Sequence, residues 1–256
     1  MNNLIKAERY KLFHNLVFWA LLIGMAVLGY FSGSGYRLTY VAHNYDTIQI
    51  TSFSGVFNAM VADSLIILVA VSSVLGWFVG REFSLRTVSA EVASGHSRSH
   101  IFISKTVVYL IAYNIVMLVY PLAGAIHEIS YFGAGDLTNN LLNILRTGLY
   151  VLLLQSAFFL ITITIAFLLR SGVKTAIVAP IVSFGIMMLF ARAAEDNWPA
   201  VISFLNPIYR LRESTAMGSS LSSNGLILVP AIVTGIVWIA TCSMIIWKNF
   251  AKSDLK

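Results

Sequence analysis

Residues 81–105 read REFSLRTVSAEVASGHSRSHIFISK, a polar stretch between two long apolar segments, and its reading decides the fold. Glu82 stands four residues before Arg86, the order in which an acid and a base support a helix, and an acid early in a helix suits its N-terminal dipole. Leu85, Val88 and Val92 fall at i, i+3 and i+7 as a narrow apolar stripe, with Arg86, Ala90 and Ser94 opposite. A short amphipathic helix is expected. Gly95 is a natural C-terminal stop, and Ser97 is an N-cap residue for the next helix, which turns apolar from Ile101. The chain leaves one apolar layer, lies along its surface for about three turns and goes back in.

Of the 256 residues 58% are hydrophobic and 11% charged, with mean hydropathy +0.80, whereas soluble domains carry about 25% charged residues. An all-α integral membrane protein follows. A span needs about 20 mostly apolar residues, and the candidates lie at 16–31, 61–80, 101–127, 143–169, 173–191 and 226–247. They make one membrane domain over residues 1–256. Span 2 carries Ser72, Gly76 and Gly80 at four-residue intervals, a ladder for close helix packing. In spans 1 and 5, Ala20, Gly24, Gly172 and Ala176 offer a similar approach to a second chain.

The net charge of +6 and pI of 9.5 do not indicate nucleic acid, because the cations divide by side of the membrane. With the N-terminus inside, Lys6, Arg9, Lys11, Arg81, Arg86, Arg98, Lys105, Arg170, Lys174, Lys248, Lys252 and Lys256 share the inner side. Arg37, Arg146, Arg192, Arg210 and Arg212 remain outside. This bias places both termini and residues 81–105 in the cytoplasm of a multi-pass protein in the cell (plasma) membrane. Cys242 is the only cysteine, so no intrachain disulfide can form.

Glu82, Phe83, Thr87, Gly95, Ser97, Arg98, Ser104 and Lys105 carry a more specific signal. In type and spacing they resemble the cytoplasmic loop after the second span of type-2 ABC transporter permeases. That loop has an acidic-aromatic pair, a Thr, a small-residue turn, Ser-Arg, and Ala/Ser-Lys at the next span. Two positions depart: Arg86 stands where the family often has Gly, and Glu91 where it often has an aliphatic residue. The resemblance implies a six-helix exporter subunit, with an N-terminal elbow helix over 2–14, a coupling helix in the loop, and external interfacial helices over 192–224. On the elbow, Leu4, Ile5 and Leu12 would face lipid while Lys6, Arg9 and Lys11 stay in water. The same resemblance gives ATPase-coupling roles to Glu82, Phe83, Arg86, Thr87, Arg98 and Lys105. It further implies a separate ATPase subunit that binds ATP and Mg, a second permease chain as homo- or heterodimer, and a hydrophobic or amphipathic substrate such as an antimicrobial peptide, a drug or a lipid.

Span 3 contains Asn114, and span 4 contains Gln155, Ser156 and Thr162; such uncharged polar groups either bond between helices or line a substrate path. The chain has no G-x-x-x-x-G-K-[ST] phosphate loop, so ATP hydrolysis belongs to a partner and the chain itself is not expected to be an enzyme or to hold a cofactor. No charged residue lies near the middle of a span, which weighs against an ion-coupled carrier, the first rival. The second rival is an immunity protein that sequesters a peptide. His96 and His100 stand four apart without a third ligand, and no metal site is expected.

Overall fold

The computed structural model describes residues 2–36, 40–41, 47–48, 50, 52–133, 136–195 and 228–252. Among these, the only strands are β1 (Tyr40–Val41) and β2 (Thr47–Ile48), paired antiparallel with Tyr40 opposite Ile48. The remaining elements are a 3-10 turn (Gly33–Tyr36) and α-helices: α1 (Asn2–Phe13), α2 (Leu16–Ser32), α3 (Phe53–Ala62), α4 (Leu65–Ser84), α5 (Thr87–Ala93), α6 (Arg98–Phe132), α7 (Leu137–Leu169), α8 (Gly172–Glu195) and α9 (Leu228–Lys252).

Five segments among the described residues are long and apolar enough to cross a membrane: Leu16–Tyr36, Leu65–Ser84, Arg98–Phe132, Leu137–Leu169 and Val229–Phe250. This is the build of an all-α, multi-pass membrane protein. The remaining expected segment, 173–191, lies within α8, whose apolar stretch Gly172–Ile186 is shorter than those five.

Helix α7 is the centre of the bundle, with 83% of its most apolar window buried, against 22% for α2 and 28% for α9. Helix α2 packs along α6, α8 along α4, and α9 along α7. The outer helices turn Ile23, Val27 and Phe31, or Ile236 and Met244, outward, as lipid-facing surfaces do. The small-residue ladder of span 2 serves packing within the chain. A Cβ on Gly76 would lie 2.3 Å from Thr162 Cγ2 on α7, and one on Gly80 would lie 2.8 Å from the Ser171 carbonyl oxygen. Gly172 is used in the same way, since a Cβ there would meet the Arg81 backbone at 3.0 Å. Gly24, with nothing within 4 Å, and the exposed Ala20 keep the open approach expected of span 1.

The start of span 2 and the surroundings of α1 differ from those expected. Span 2 begins at Leu65, not residue 61, because the Ser64 hydroxyl donates to the Val61 carbonyl at 2.6 Å and the chain turns at Asp63 and Ser64. Helix α3 is packed against α6 and α7, with Val56, Phe57 and Met60 fully buried. Its apolar residues cover too much of its circumference for one wet face. Leu4 and Leu12 of α1 are likewise buried, in a helix packed on α6, and so face protein where lipid was expected.

Candidate functional site

Helix α4 does not stop at Gly80, the expected end of span 2, but continues through Arg81, Glu82 and Phe83 to Ser84. The single short helix expected over this stretch is therefore two, broken at Arg86, which adopts the left-handed conformation with φ 57°. A Cβ-bearing residue enters this region at a cost, so the helix ends there. The expected Glu82–Arg86 pair does not form: Arg86 is exposed, while Glu82 is turned inward. The Thr87 hydroxyl donates to the Glu82 carbonyl at 2.8 Å and satisfies one of the acceptors left at the end of α4.

Helix α5 closes as its sequence indicates. Gly95, with φ 89°, donates to the Val92 carbonyl at 3.0 Å, and His96 donates to the Glu91 carbonyl at 3.3 Å. This is the paired hydrogen-bond pattern of a Schellman stop. Ser97 then caps α6, its hydroxyl accepting from the His100 amide at 3.4 Å. Val88 is buried, Val92 half-buried and Leu85 exposed, so the apolar stripe is kept only on α5 itself.

Two turns into α6, the Lys105 ammonium is fully buried and donates to carboxylates from three other helices. Its partners are Glu8 of α1 at 2.7 Å, Glu91 of α5 at 3.2 Å, and Glu82 of α4. Lys11 of α1 reaches the same three, at 2.9 Å to Glu8, 3.4 Å to Glu82 and 3.0 Å to Glu91. The Tyr109 hydroxyl donates to the second oxygen of Glu82 at 2.9 Å. Taking such charges out of water costs several kcal/mol per ion, so an arrangement like this persists only when each charge is matched. Here one cation binds four helices into one unit.

Oxygen atoms of Glu8, Glu82 and Glu91 lie within 4.8 Å of one another, a spacing that would also suit a metal ion. The two ammonium groups already supply positive charge to all three. Lys11 is 39% exposed on its side chain. Its partial burial would by itself lower the ammonium pKa, but the Glu82 and Glu8 carboxylates outweigh that and the net shift is upward.

Of the residues expected to couple to an ATPase, Glu82 and Lys105 thus meet at the centre of the network. Phe83 and Arg98 sit beside it in a different role. The Phe83 ring contacts Phe167 at 5.1 Å and Phe250 at 6.3 Å, and Phe102 and Phe250 meet Phe167 at 5.5 and 5.3 Å. Arg98 donates to the Phe250 carbonyl at 3.1 Å, holding the end of α9 to the start of α6. Glu8, Lys11, Glu91 and Tyr109 were not among the expected site residues. The signal for Glu8 is its place between Leu4 and Leu12 at i, i+4 and i+8, a carboxylate in the middle of a buried stripe.

The four candidate path residues lie inside the bundle. Asn114 donates to Ser156 at 2.7 Å, tying α6 to α7, and Gln155 and Thr162 are buried on α7. Asn114 Oδ1, Gln155 Oε1 and Thr162 Oγ1 have no hydrogen-bond partner among the described residues. Beside them the Tyr113 and Phe159 rings stack at 4.4 Å, closing the seam between α6 and α7. The external helices expected over 192–224 fall outside the described residues apart from the end of α8 at Glu195.

A bundle of apolar helices with a charged joint at one end defines a membrane protein class, and sequence comparison supplies the family. The chain belongs to the family described as protein of unknown function (DUF2705), whose profile matches residues 12–256. No curated protein matches the chain.

Proposed function

We propose that this chain is the transmembrane subunit of an ATP-driven exporter of the type-2 ABC class. In this reading α8 completes six spans, both termini are cytoplasmic, α1 is the elbow helix and α5 the coupling helix. The observation that carries it is α5 itself: a short helix between two membrane-length helices, fastened to α1, α4 and α6 through Glu91, Lys11 and Lys105. A helix so anchored passes a push on to the spans, because the network leaves it no independent movement. Loops that merely connect spans have no need of buried charge, which is costly to place near a membrane.

The chain carries no phosphate-binding loop, so in this reading ATP and Mg are bound by a separate ATPase subunit and the permease hydrolyses nothing. Two permease chains enclose the path, and a hydrophobic or amphipathic substrate leaves the cell through it. Asn114, Gln155, Ser156 and Thr162 are the candidate path residues, and the oxygens of Asn114, Gln155 and Thr162, unpartnered among the described residues, favour a seam that changes partners when the helices move. Affinity isolation of the tagged chain from native membranes in mild detergent tests the reading. A P-loop ATPase recovered in equal amount supports it; a complex without one, retaining uptake or release driven by an ion gradient, replaces it with a carrier.

A further inference from the structure

Arg81, near the end of α4, meets the beginning of α8. Gly172, the first residue of α8, is pressed against it: a Cβ there would lie 3.0 Å from the Arg81 amide nitrogen and 3.1 Å from Trp77 Cδ1. One turn earlier on α4, the Trp77 ring faces the Arg81 guanidinium, whose carbon is 5.3 Å from the ring centroid. The ring contact and the pinned backbone hold this charge in place although Arg81 is exposed. Lys174, two residues beyond Gly172, is exposed as well.

No described carboxylate of this end of the bundle is left to answer the two cations. Glu8, Glu82 and Glu91 are all drawn into the network around Lys105. From the same corner, α8 turns Val173, Ile177 and Ile181 outward at i, i+4 and i+8, an apolar strip that runs beside the membrane-length helix α4. Fixed positive charge at the head of an apolar strip matches the outline of an anionic phospholipid, headgroup at the cations and acyl chains along the strip. An acidic protein would match the cations but leave the strip uncovered, and is the poorer occupant.

We infer that the corner formed by Trp77 and Arg81 of α4 and Lys174 of α8 binds the headgroup of an anionic phospholipid. The guanidinium donates paired hydrogen bonds to the phosphate, Lys174 adds the second positive charge, and the acyl chains lie on Val173, Ile177 and Ile181. This goes beyond the transport reading and does not depend on it, since it requires only that the α4–α8 face meets lipid.

The test is native mass spectrometry of the full-length chain in detergent, with phosphatidylglycerol and phosphatidylcholine of the same acyl chains added in equal amount. Retention of phosphatidylglycerol in clear preference to phosphatidylcholine is expected. Arg81→Gln and Lys174→Gln should each lower that retention about fivefold, while Arg86→Gln, which removes an exposed cation outside the Trp77 stack, leaves it unchanged. Should Arg81→Gln unfold, the exposed Lys174 decides. Inorganic phosphate at millimolar concentration should not displace the lipid, because it brings nothing to the strip. In native membranes, p-benzoylphenylalanine at Val173 is expected to give phospholipid adducts. Equal retention of the two lipids, undiminished preference in Lys174→Gln, or an equal loss in Arg86→Gln overturns the inference. So does complete displacement by phosphate, which marks a site for soluble anions, and so do adducts to protein alone. Each of these leaves the transport reading standing.

Discussion

Lys105 on α6 and Glu82 on α4 form a buried ion pair across 23 positions of sequence, with Tyr109 holding the second oxygen of the same carboxylate. The pair closes the α4–α5–α6 turn on itself. Because Lys105 also binds Glu8 and Glu91, its removal strands three carboxylates that have no equally buried substitute.

Lys105→Met is therefore expected to destabilise the protein by about 3–5 kcal/mol, the usual cost of leaving a buried charge unpaired. Lys11→Met should cost much less, since water can reach that end of the network. Thermal unfolding of both variants in the same detergent checks the order; equal losses would mean that the two lysines are interchangeable.

A double-mutant cycle between Glu82→Gln and Lys105→Met isolates the direct contact. Residues within one ion-pair network commonly show coupling of about 0.5–3 kcal/mol, and a value in that range is expected here. Additive losses would show that the two residues act separately.

The pH dependence has a definite sign for Lys11. Its pKa is raised in the folded state, so its contribution is fully present below the unfolded value, about 10.4, and is lost as pH rises through the folded value. Between pH 7 and about pH 10 the Lys11 contacts should thus hold constant. Attachment of α1, followed by proteolysis near residue 14 or by a label at Tyr10, is expected to stay level across that interval in wild type and to be weaker throughout in Lys11→Met.

Helix α2 is held to α6 by contact too close for a side chain. A Cβ on Gly29 would lie 2.1 Å from the Tyr120 carbonyl oxygen, whereas Gly24, on the same helix, has nothing within 4 Å. Gly29→Ala should cost about 1–3 kcal/mol through forced separation, and Gly24→Ala close to nothing. Unfolding of the two variants decides; equal behaviour would dissociate α2 from α6.

The helices were legible in the sequence because apolar length and the caps at Gly95 and Ser97 are local signals. The joint was not, because its partners are remote in sequence: Glu8 and Lys105 are 97 positions apart. Glu82 was singled out by the resemblance, and the neighbouring Arg86 offered an apparent local partner that hid its pairing with Lys105. The left-handed turn at Arg86 removed that option, and the Gly common at this position in similar loops was the available clue. Glu91 was set aside as a departure from an aliphatic pattern, yet it joins Lys11 to Lys105.

The central claim, that α5 transmits ATP-driven work into the bundle, is tested most directly by ATP hydrolysis in lipid nanodiscs by the complex isolated from native membranes. Glu91→Gln is the informative variant, because it weakens the attachment of α5 at its most accessible carboxylate and leaves Lys105 its other two partners. The account predicts hydrolysis by the wild-type complex and a severalfold lower rate in Glu91→Gln with the ATPase still bound. No hydrolysis by the wild-type complex, or an unchanged rate in Glu91→Gln, would contradict it.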